Sequence, residues 1–472
     1  MTIETTTRDS ELAKELLKES GQNPTLCYQC KKCTSGCPLS DQMDLTPNQV
    51  LRALQFGQLD KVLRSKTIWV CAACQTCTMR CPQSIDIAGI MDSLKVIAQR
   101  RGIPSPVPTV PLFVKATMRN IKLYGRMHEA TLTAEMNLRL KQLTREIGLG
   151  KRLMQKGRLR ILPEFAGYPR NLNSVPTRTP APNSVAYYPG CSLHASSAEF
   201  DESTRAVAAH LGIQLDEPKG WLCCGNSAVH WHSKQEAINL PLKNLALIEK
   251  MGHTAVTVPC ASCFSRLRFA AHDVEENPDL KDQTSRETGY TYQDGVSIEH
   301  TVDTFIRMVG LSKIKQQVKK PLAGLKVACY YGCLLTRPAA VTGSGHPEYP
   351  MNMDYLIRSV GATTIDWEAK TDCCGASHSI TQTDLCLDLV GKILGRAKEA
   401  GAEAVVVGCP LCHLNLDARQ LDIARKTGQS FDLPIFYFTQ LLGLALGLPE
   451  RELALKKLLT DGQPLLAKKG LL

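Results

Sequence analysis

The sequence predicts a mixed fold of α+β and α/β domains. A cysteine-rich N-terminal domain comes first, followed by a basic helical segment and two similar α/β domains. Three observations predict it. The 20 cysteines fall into two blocks, with none between positions 82 and 190. The C-terminal block repeats one order of motifs twice. In each copy, apolar runs of strand length alternate with patterns of helical period, as in parallel α/β units.

The composition is that of a folded protein that keeps its thiols reduced. A chain of 472 residues with 43% hydrophobic content can form two or three domains with buried cores. It opens with the polar stretch Met1–Ser10 instead of an apolar secretion signal. The longest apolar run, Leu433–Leu448, is too short to span a bilayer. We therefore expect a cytoplasmic protein whose clustered cysteines bind metal.

Cysteine content and proline-rich stretches give the domain boundaries. Residues 1–105 hold eight cysteines. Residues 106–183 hold none, and the proline-rich stretches Ile103–Pro111 and Ser174–Asn183 mark the two ends of this middle block. The other twelve cysteines lie in residues 184–318 and 319–472, the two copies of the repeat.

The first domain has two groups of the form Cys-x-x-Cys-x-x-Cys-x-x-x-Cys-Pro. This is the spacing of bacterial two-cluster ferredoxins, in which the fourth cysteine of each group ligates the other cluster. The predicted ligands are Cys27, Cys30, Cys33 and Cys81 for one [4Fe–4S] cluster, and Cys71, Cys74, Cys77 and Cys37 for the other. A pair of zinc sites is the competing interpretation, but zinc ligands usually come as two pairs.

A helix is predicted between the two groups, with Thr46 as its N-cap and Pro47 as its first residue. Its apolar face is expected to consist of Leu51, Leu54, Leu59 and Leu63. The segment is longer than in a minimal ferredoxin, which indicates the helical kind of ferredoxin domain that larger redox complexes use.

Each copy of the repeat opens with a predicted strand, Ser184–Tyr188 or Leu325–Tyr331, and continues to a Gly-Cys and then to Cys-Cys-Gly. A long predicted helix follows, Gln235–Met251 or Thr383–Ala400. A β-branched run, Thr254–Pro259 or Ala404–Gly408, then ends in Cys-x-x-Cys. The five thiols of each copy are Cys191, Cys223, Cys224, Cys260 and Cys263, and Cys333, Cys373, Cys374, Cys409 and Cys412. Five thiols exceed the need of an ordinary cubane cluster, so a less regular metal group is indicated, with zinc or ordinary cubane sites as the alternative.

These motifs resemble the catalytic B subunit of heterodisulfide reductase, whose CCG domains have this five-cysteine form, and residues 1–105 resemble its C subunit. The layout is similar to a C–B fusion, as in the D subunit of the membrane-bound form. The resemblance implies a helical two-cluster ferredoxin domain with two [4Fe–4S] cubane clusters, a basic helical linker, and two duplicated α/β CCG domains. Each CCG domain would hold a noncubane [4Fe–4S] cluster on its five cysteines. The implied activity is that of an oxidoreductase, disulfide reductase-like, which relays electrons through the cubane clusters to the noncubane pair.

The alternative is an electron-relay subunit of a flavin- and quinone-linked oxidoreductase of the glycolate or lactate oxidase type. Such subunits also join ferredoxin groups to CCG domains, but many lack part of the five-cysteine set, whereas both Cys-x-x-Cys pairs are intact here. The resemblance implies a hetero-oligomer with a flavin-containing electron-transfer subunit or a membrane cytochrome subunit. No Gly-x-Gly-x-x-Gly or Walker sequence occurs, so no flavin, nicotinamide or nucleotide is expected on this chain.

The middle block carries much of the net charge of +11, with eleven Lys and Arg against three Glu between Arg119 and Arg160. The plain interpretation is a solvated helical face. The sharper one is a docking surface for an acidic partner subunit or for the inner face of a membrane. Nucleic acid is not expected, because Tyr124 is the one aromatic residue in that stretch and base stacking needs more.

Several cysteines and histidines lie outside these sets. Cys329 and Cys386 are predicted to be buried structural thiols. His300 is predicted to be a packed side chain, with proton donation to a leaving thiolate as the alternative. Four other histidines lie close in sequence to the cysteines, and one or two of them are expected to hydrogen-bond a cluster sulfur. They are His194, His230, His378 and His413.

Overall fold

The computed structural model describes residues 7–169, 171–172, 175–177 and 179–472. The predicted segments Met1–Ser10 and Ser174–Asn183 therefore lie partly outside the described residues. The N-terminal domain consists of mostly short helices around two cysteine loops. These helices are α1 (Thr7–Ser20), α2 (Lys32–Ser35), α3 (Pro47–Gln55), α4 (Leu59–Leu63), α5 (Thr67–Val70), α6 (Thr76–Met79) and α7 (Ile87–Arg100).

The segment between the two cysteine groups forms two helices, α3 and α4, where the sequence predicted one. Thr46 caps α3 as predicted, in a capping box with Gln49, and Pro47 is the first helical residue. The helix ends because Gly57 takes a φ of 69° and turns the chain before α4 begins. The predicted apolar face is nevertheless maintained. Leu51, Leu59 and Leu63 are buried, and Leu54 packs against the same core.

The middle block forms helices α8 (Thr109–Tyr124), α9 (Glu129–Leu140) and α10 (Ile147–Gln155). It packs closely on the first α/β domain. The carbonyl oxygen of Gly125, at the end of α8, accepts a hydrogen bond from the Cys223 N–H at 2.9 Å. Arg126 Nε donates to the Trp221 carbonyl oxygen at 3.1 Å. The predicted basic linker is thus a packed layer that contacts a cysteine-bearing loop.

The first α/β domain contains a parallel sheet in the order β2-β1-β3-β4. Its strands are β1 (Ser184–Tyr187), β2 (Gln214–Asp216), β3 (Ala255–Val258) and β4 (Ser297–His300). Its helices are α11 (Ala198–His210), α12 (Asn226–His230), α13 (Lys234–Lys250), α14 (Ala261–Glu276), α15 (Pro278–Thr288), α16 (Thr301–Val309) and α17 (Leu311–Gln316). In the register, Ala186 pairs with Val256.

The second α/β domain repeats this topology, with a parallel sheet in the order β6-β5-β7-β8. Its strands are β5 (Lys326–Tyr330), β6 (Thr363–Thr364), β7 (Ala404–Val407) and β8 (Ile435–Tyr437). Its helices are α18 (Ala339–Thr342), α19 (Asn352–Ser359), α20 (Thr383–Glu399), α21 (Pro410–Ala418), α22 (Gln420–Thr427), α23 (Phe438–Ala445) and α24 (Gln463–Lys468). The predicted duplication and the α/β class are confirmed.

One continuous core joins the two α/β domains. Phe200 of the first domain stacks on Tyr437 of the second, with ring centroids 4.0 Å apart. The strand order reverses between β1 and β3 and between β5 and β7, and open sheets of this kind bind ligands beyond the strand ends at such points. Cys191 and Cys260 follow β1 and β3, so the fold puts two of the predicted ligands at the first of these points.

Candidate metal centre

The two cysteine loops of the N-terminal domain have the same backbone shape. In each, the residues directly before and after the second cysteine adopt positive φ, Gln29 and Lys31 in one loop and Ala73 and Gln75 in the other. Left-handed residues coil the backbone tightly, which turns successive side chains toward one side. The first three cysteines of each group therefore lie on a compact loop, as the predicted ligands of one cluster must.

The fourth cysteines approach the opposite loops. Tyr28, in the first loop, is close enough to interact electrostatically with Cys30, Cys81 and Cys27, which places Cys81 beside that loop. Burial raises the pKa of the Cys37 thiol, and the nearby Cys74 and Cys71 raise it further. This arrangement supports the prediction that Cys81 ligates the cluster of the first cysteine group and that Cys37 ligates the cluster of the second.

The five thiols of the first α/β domain form one connected group. Cys191 is within hydrogen-bonding reach of Cys223, and the Sγ atoms of Cys224 and Cys263 are 3.3 Å apart. Cys260 contacts Cys263. The N–H of Met127, from the middle block, donates to Cys191 Sγ at 3.4 Å, and such bonds favour the thiolate form that metals need.

The second domain shows the same grouping. Cys373 is within hydrogen-bonding reach of Cys333, and the Sγ atoms of Cys374 and Cys412 are 3.7 Å apart. Cys412 also contacts Cys409. Gly375 N–H donates to Cys373 Sγ at 3.4 Å, which matches the bond from Gly225 N–H to Cys223 Sγ in the first domain.

Two further thiol contacts connect the groups to one another. Cys260 of the first set is within hydrogen-bonding reach of Cys409 of the second. Cys74, in the N-terminal domain, has the same relation to Cys373. Along the protein, the thiols therefore form a line from the N-terminal loops through the second set to the first.

His300 lies where the two sets meet. It is fully buried, and its Nε2–H donates to the Gly408 carbonyl oxygen at 2.8 Å, with the Pro259 carbonyl oxygen 3.3 Å away. Nδ1 accepts from the Val302 N–H at 3.4 Å. Both ring nitrogens are therefore engaged with the backbone, and the structure favours the packed histidine over the proton donor.

The other four histidines make no hydrogen bond to a cysteine sulfur within the described part of the chain. His194 contacts Glu217 at 3.1 Å, and His230 contacts Asp92 at 2.8 Å. His378 Nε2 donates to the carbonyl of Val70, directly before Cys71, and His413 Nε2 donates to that of Ile435. Their roles beside cluster sulfurs remain predictions. Cys329 and Cys386 are fully buried, as predicted for structural thiols.

A buried charge cluster that sequence reasoning missed supports the second loop. Lys95 is fully buried and donates to the Cys71 carbonyl oxygen at 3.1 Å and to Asp92 at 2.9 Å. Burial alone would raise the pKa of Asp92, but Lys95 and His230 hold it well below its ordinary value. Burial lowers the pKa of His230 to about 4, so its ring is neutral at pH 7. The sequence signal was weak, because Asp92 and Lys95 look like ordinary surface residues of α7.

A cavity of about 740 Å³ opens beside the first set. All five of its thiols reach the cavity wall, together with Ser262, Ser377 and Asn415. The opposite wall comes from the middle block, through apolar residues that include Leu132, Leu149 and Leu153. Volumes of this size hold small organic ligands, so the cavity is a candidate substrate site.

The thiols and the backbone around them fit an iron–sulfur group. All 18 predicted ligands are free cysteines, and thiolates are the soft donors that iron–sulfur clusters take. The chain also keeps side-chain atoms away from the sulfurs. A Cβ at Gly190 would lie 2.7 Å from Cys263 Sγ, and one at Gly332 would lie 3.0 Å from Cys412 Sγ. Among the described residues, no three metal-ligating side chains are spaced for a single metal ion.

Comparisons with known proteins agree with this site. The cysteine-rich domain family, CCG, matches residues 185–268 and 327–417, and the 4Fe-4S dicluster domain family matches residues 26–86. The 8-methylmenaquinol:fumarate reductase membrane anchor subunit of Wolinella succinogenes is 32% identical over 283 residues, which are 59% of this chain and 98% of that protein.

Two components of heterodisulfide reductases are also similar. The B subunit of the ferredoxin/F(420)H(2)-dependent CoB-CoM heterodisulfide reductase of Methanosarcina acetivorans is 29% identical and covers 60% of this chain and 96% of that protein. The iron-sulfur C subunit of the CoB–CoM heterodisulfide reductase of Methanopyrus kandleri is 29% identical over 25% of this chain and 64% of that protein. A hypothetical protein from Helicobacter pylori shares the fold, with a TM-score of 0.59 at 10% identity over 97% of this chain and 76% of that chain.

The fold and the cysteine sets thus define a redox protein of the iron–sulfur class. The chain belongs to the family of CCG-domain iron–sulfur proteins and is of the heterodisulfide reductase C–B type, with a dicluster domain in front of two CCG domains. Within the described residues, no helix combines the length and the apolar character that crossing a bilayer requires.

Proposed function

We propose that this chain is the iron–sulfur subunit of a heterodisulfide-reductase-like complex and that it reduces a disulfide in the cavity beside its CCG domains. The observation that carries the proposal is the line of thiols. Cys74 contacts Cys373, and Cys409 contacts Cys260, so the predicted ligand sets of both CCG domains adjoin each other and the N-terminal domain.

The ten CCG cysteines would hold two noncubane [4Fe–4S] clusters, and the eight N-terminal ones two cubane clusters. When bound, such clusters supply electrons one at a time, so an adjoining pair suits the two-electron reduction of a disulfide. The chain's own residues hold the thiols in place. His300 fixes the backbone before Cys260 and Cys409, and Met127 and Gly225 donate N–H groups to the sulfurs of the first set.

Electrons would enter at the first loop. Cys30 is exposed, and its neighbour Tyr28 is 58% exposed. Every thiol of the second loop and of the CCG sets is less exposed than Cys30, and Cys71 is buried. By analogy with the relatives, which are subunits of larger assemblies, the donor at this end would be a flavin-containing electron-transfer subunit or a membrane cytochrome subunit.

The competing function is an electron relay to a quinone without disulfide chemistry. Its support is the similar fumarate reductase membrane anchor subunit, whose name includes a menaquinol. The two intact five-cysteine sets favour the reductase, because subunits of the glycolate or lactate oxidase type often lack part of this set.

Metal analysis and turnover together test the proposal. Four clusters of four irons predict about sixteen irons and as many acid-labile sulfides per chain. With a reduced viologen as donor, the anaerobically purified chain should reduce disulfides. About eight irons with bound zinc would eliminate the disulfide mechanism. Quinone reduction with the partner subunit, without turnover of any disulfide, would establish the relay.

A pair of cysteine variants localises the activity. Cys260→Ala should lose about four irons, as expected for one cluster of this type, and at least a hundredfold in disulfide reduction. Cys329→Ala removes a thiol that is also buried but lies outside both sets, and it should keep full iron and activity. Equal iron content in the two variants would contradict the assigned role of Cys260.

A further inference from the structure

The middle block exposes an unusual amount of apolar surface. Residues 106–183 are 78 of 472, yet they contribute eight of the sixteen large apolar side chains that are exposed in the described part of the chain. These eight are Leu123, Leu138, Leu143, Ile147, Met154, Ile161, Leu162 and Phe165. Contiguous exposed apolar side chains usually mark a surface that something else covers.

Part of this surface is organised on one face of helix α10. Ile147, Lys151 and Met154 are spaced by four and three residues, so they share a face, and all three are exposed. Leu153 points the other way and is 6% exposed. We define the docking patch as Leu138, Lys141, Leu143, Ile147, Lys151 and Met154, whose apolar members are 52–69% exposed.

The docking patch forms the rim of the cavity beside the first cysteine set. Leu138, Leu143 and Ile147 line that cavity. They are also 69%, 67% and 56% exposed. A side chain that lines a cavity and remains mostly exposed lies at its opening. Whatever covers the docking patch therefore also covers the entrance to the cavity.

The charge of the docking patch indicates what covers it. Lys141 and Lys151 are exposed, and neither forms an ion pair within the described ranges of the chain. Surfaces that bind proteins are depleted in lysine and rely on aromatic anchors. Leucine, isoleucine and methionine beside unpaired lysines are instead typical of helices that lie in the interface of an anionic bilayer.

We propose that the docking patch binds the surface of an anionic lipid bilayer and holds the cavity entrance against it. The apolar side chains enter the interfacial layer, and the lysines contact lipid phosphates. A compound dissolved in the bilayer can then reach the cavity without crossing water. This binding does not depend on the proposed disulfide chemistry.

Vesicle co-sedimentation of the full, iron-replete chain tests the proposal. The wild type should bind vesicles of seven parts phosphatidylcholine to three parts phosphatidylglycerol, bind pure phosphatidylcholine at least tenfold more weakly, and dissociate as the salt concentration rises. The triple variant Leu143→Ser/Ile147→Ser/Met154→Ser should lose at least tenfold in binding, and Lys141→Gln/Lys151→Gln at least threefold. The control is Leu17→Ser/Tyr355→Ser, at two side chains that are each 52% exposed in other domains. It should bind like the wild type.

Either of two results would overturn the proposal: no wild-type binding to the anionic vesicles, or equal binding by the triple variant and the wild type. Loss of a co-purifying protein from the patch variants, with no vesicle binding by the wild type, would assign the patch to a protein partner instead. Iron content should be unchanged in every variant, which shows that the variants fold. Absence of disulfide reduction in all preparations would count against the proposed function and not against lipid binding.

Discussion

His300 and Gly408 join the two CCG domains through one buried hydrogen bond, from Nε2 to the carbonyl oxygen, 2.8 Å long. The same N–H lies 3.3 Å from the Pro259 carbonyl oxygen. Pro259 and Gly408 directly precede Cys260 and Cys409, the cysteines at which the two sets meet. One imidazole therefore sets the separation of the two backbones that carry those thiols.

Replacing His300 by alanine should separate these two backbones. The substitution leaves a cavity and removes the donor shared by two buried carbonyl groups, so we expect a loss of roughly 2–4 kcal/mol in the free energy of unfolding. Thermal unfolding under anaerobic conditions measures it, together with electron paramagnetic resonance of the CCG clusters. His346→Ala, at an exposed histidine, should change neither. An unchanged unfolding temperature in His300→Ala would contradict this role.

Gly190→Ala should disturb the first cysteine set alone. Gly190 has a φ of 75° and a ψ of 166°, a combination that is essentially limited to glycine and costs other residues about 1–3 kcal/mol. Its new Cβ would also lie 2.7 Å from Cys263 Sγ. Gly212→Ala is the matched control, because Gly212 has the same φ of 75° and no atom within 4 Å of the added Cβ.

Both glycine variants should lose stability, Gly190→Ala more because of its added contact with the thiol, but only Gly190→Ala should lose iron, by about four atoms if one cluster is lost. Iron analysis and the visible absorption spectrum distinguish them. If Gly212→Ala lost as much iron as Gly190→Ala, backbone strain and not contact with the thiol would be the cause.

Asp92→Asn should destabilise the N-terminal domain strongly. The change leaves the Lys95 ammonium buried without its counter-charge, which usually costs about 3–5 kcal/mol. The variant should unfold at a lower temperature and lose ferredoxin-type iron first, because Lys95 also holds the Cys71 carbonyl. Asp60→Asn breaks an exposed pair with Arg64 and should cost less than about 1 kcal/mol. Equal effects of the two substitutions would disprove the buried charge cluster as a support.

Glu199 should make stability fall as the pH rises toward neutrality. Burial raises the pKa of its carboxyl group from 4.5 to about 7, although the Arg158 guanidinium, 2.8 Å away, opposes the shift. The folded protein therefore binds this proton more tightly than the unfolded chain. Its contribution to the free energy of unfolding declines between about pH 4.5 and pH 7 and is constant above.

Glu199→Gln removes this titration while it keeps the shape of the side chain. The variant should gain about 2 kcal/mol relative to the wild type between pH 5.5 and pH 7.5, as a shift of this size implies. Anaerobic unfolding at the two pH values measures the difference. The attraction of Arg158 is already part of the raised pKa of Glu199, so it does not alter this pH-dependent gain. A constant difference between the two proteins would show that Glu199 does not titrate in this range.

The local structure of the site could be predicted from sequence, because it depends on residues that are close together in the chain. The spacing of cysteines predicted both N-terminal loops, and the alternation of β-branched runs with helices predicted the two sheets and the cysteines at their ends. Cap chemistry predicted the start of α3 at Pro47. The break before α4 was missed, because the leucine pattern continues across Gly57.

Long-range relations could not be predicted in this way. No periodicity connects Cys74 to Cys373, or Asp92 to His230, and these pairs depend on how whole domains pack. The lack of cysteine in the middle block predicts a linker, whereas Gly125 and Met127 of that block contact Cys223 and Cys191. The roles of Gly125 and Met127 lie in their backbone atoms, which composition does not reveal.

The contact between Cys74 and Cys373 lies within one polypeptide. In the relatives, similar regions occur on separate B and C subunits, whose meeting depends on their concentrations. In this protein one polypeptide joins the N-terminal domain to the CCG domains, so their association is intramolecular. The effective concentration of one domain at the other is set by the geometry of the chain. Dilution should therefore leave this junction intact, and cells that make this protein need not match the synthesis of two gene products to assemble it.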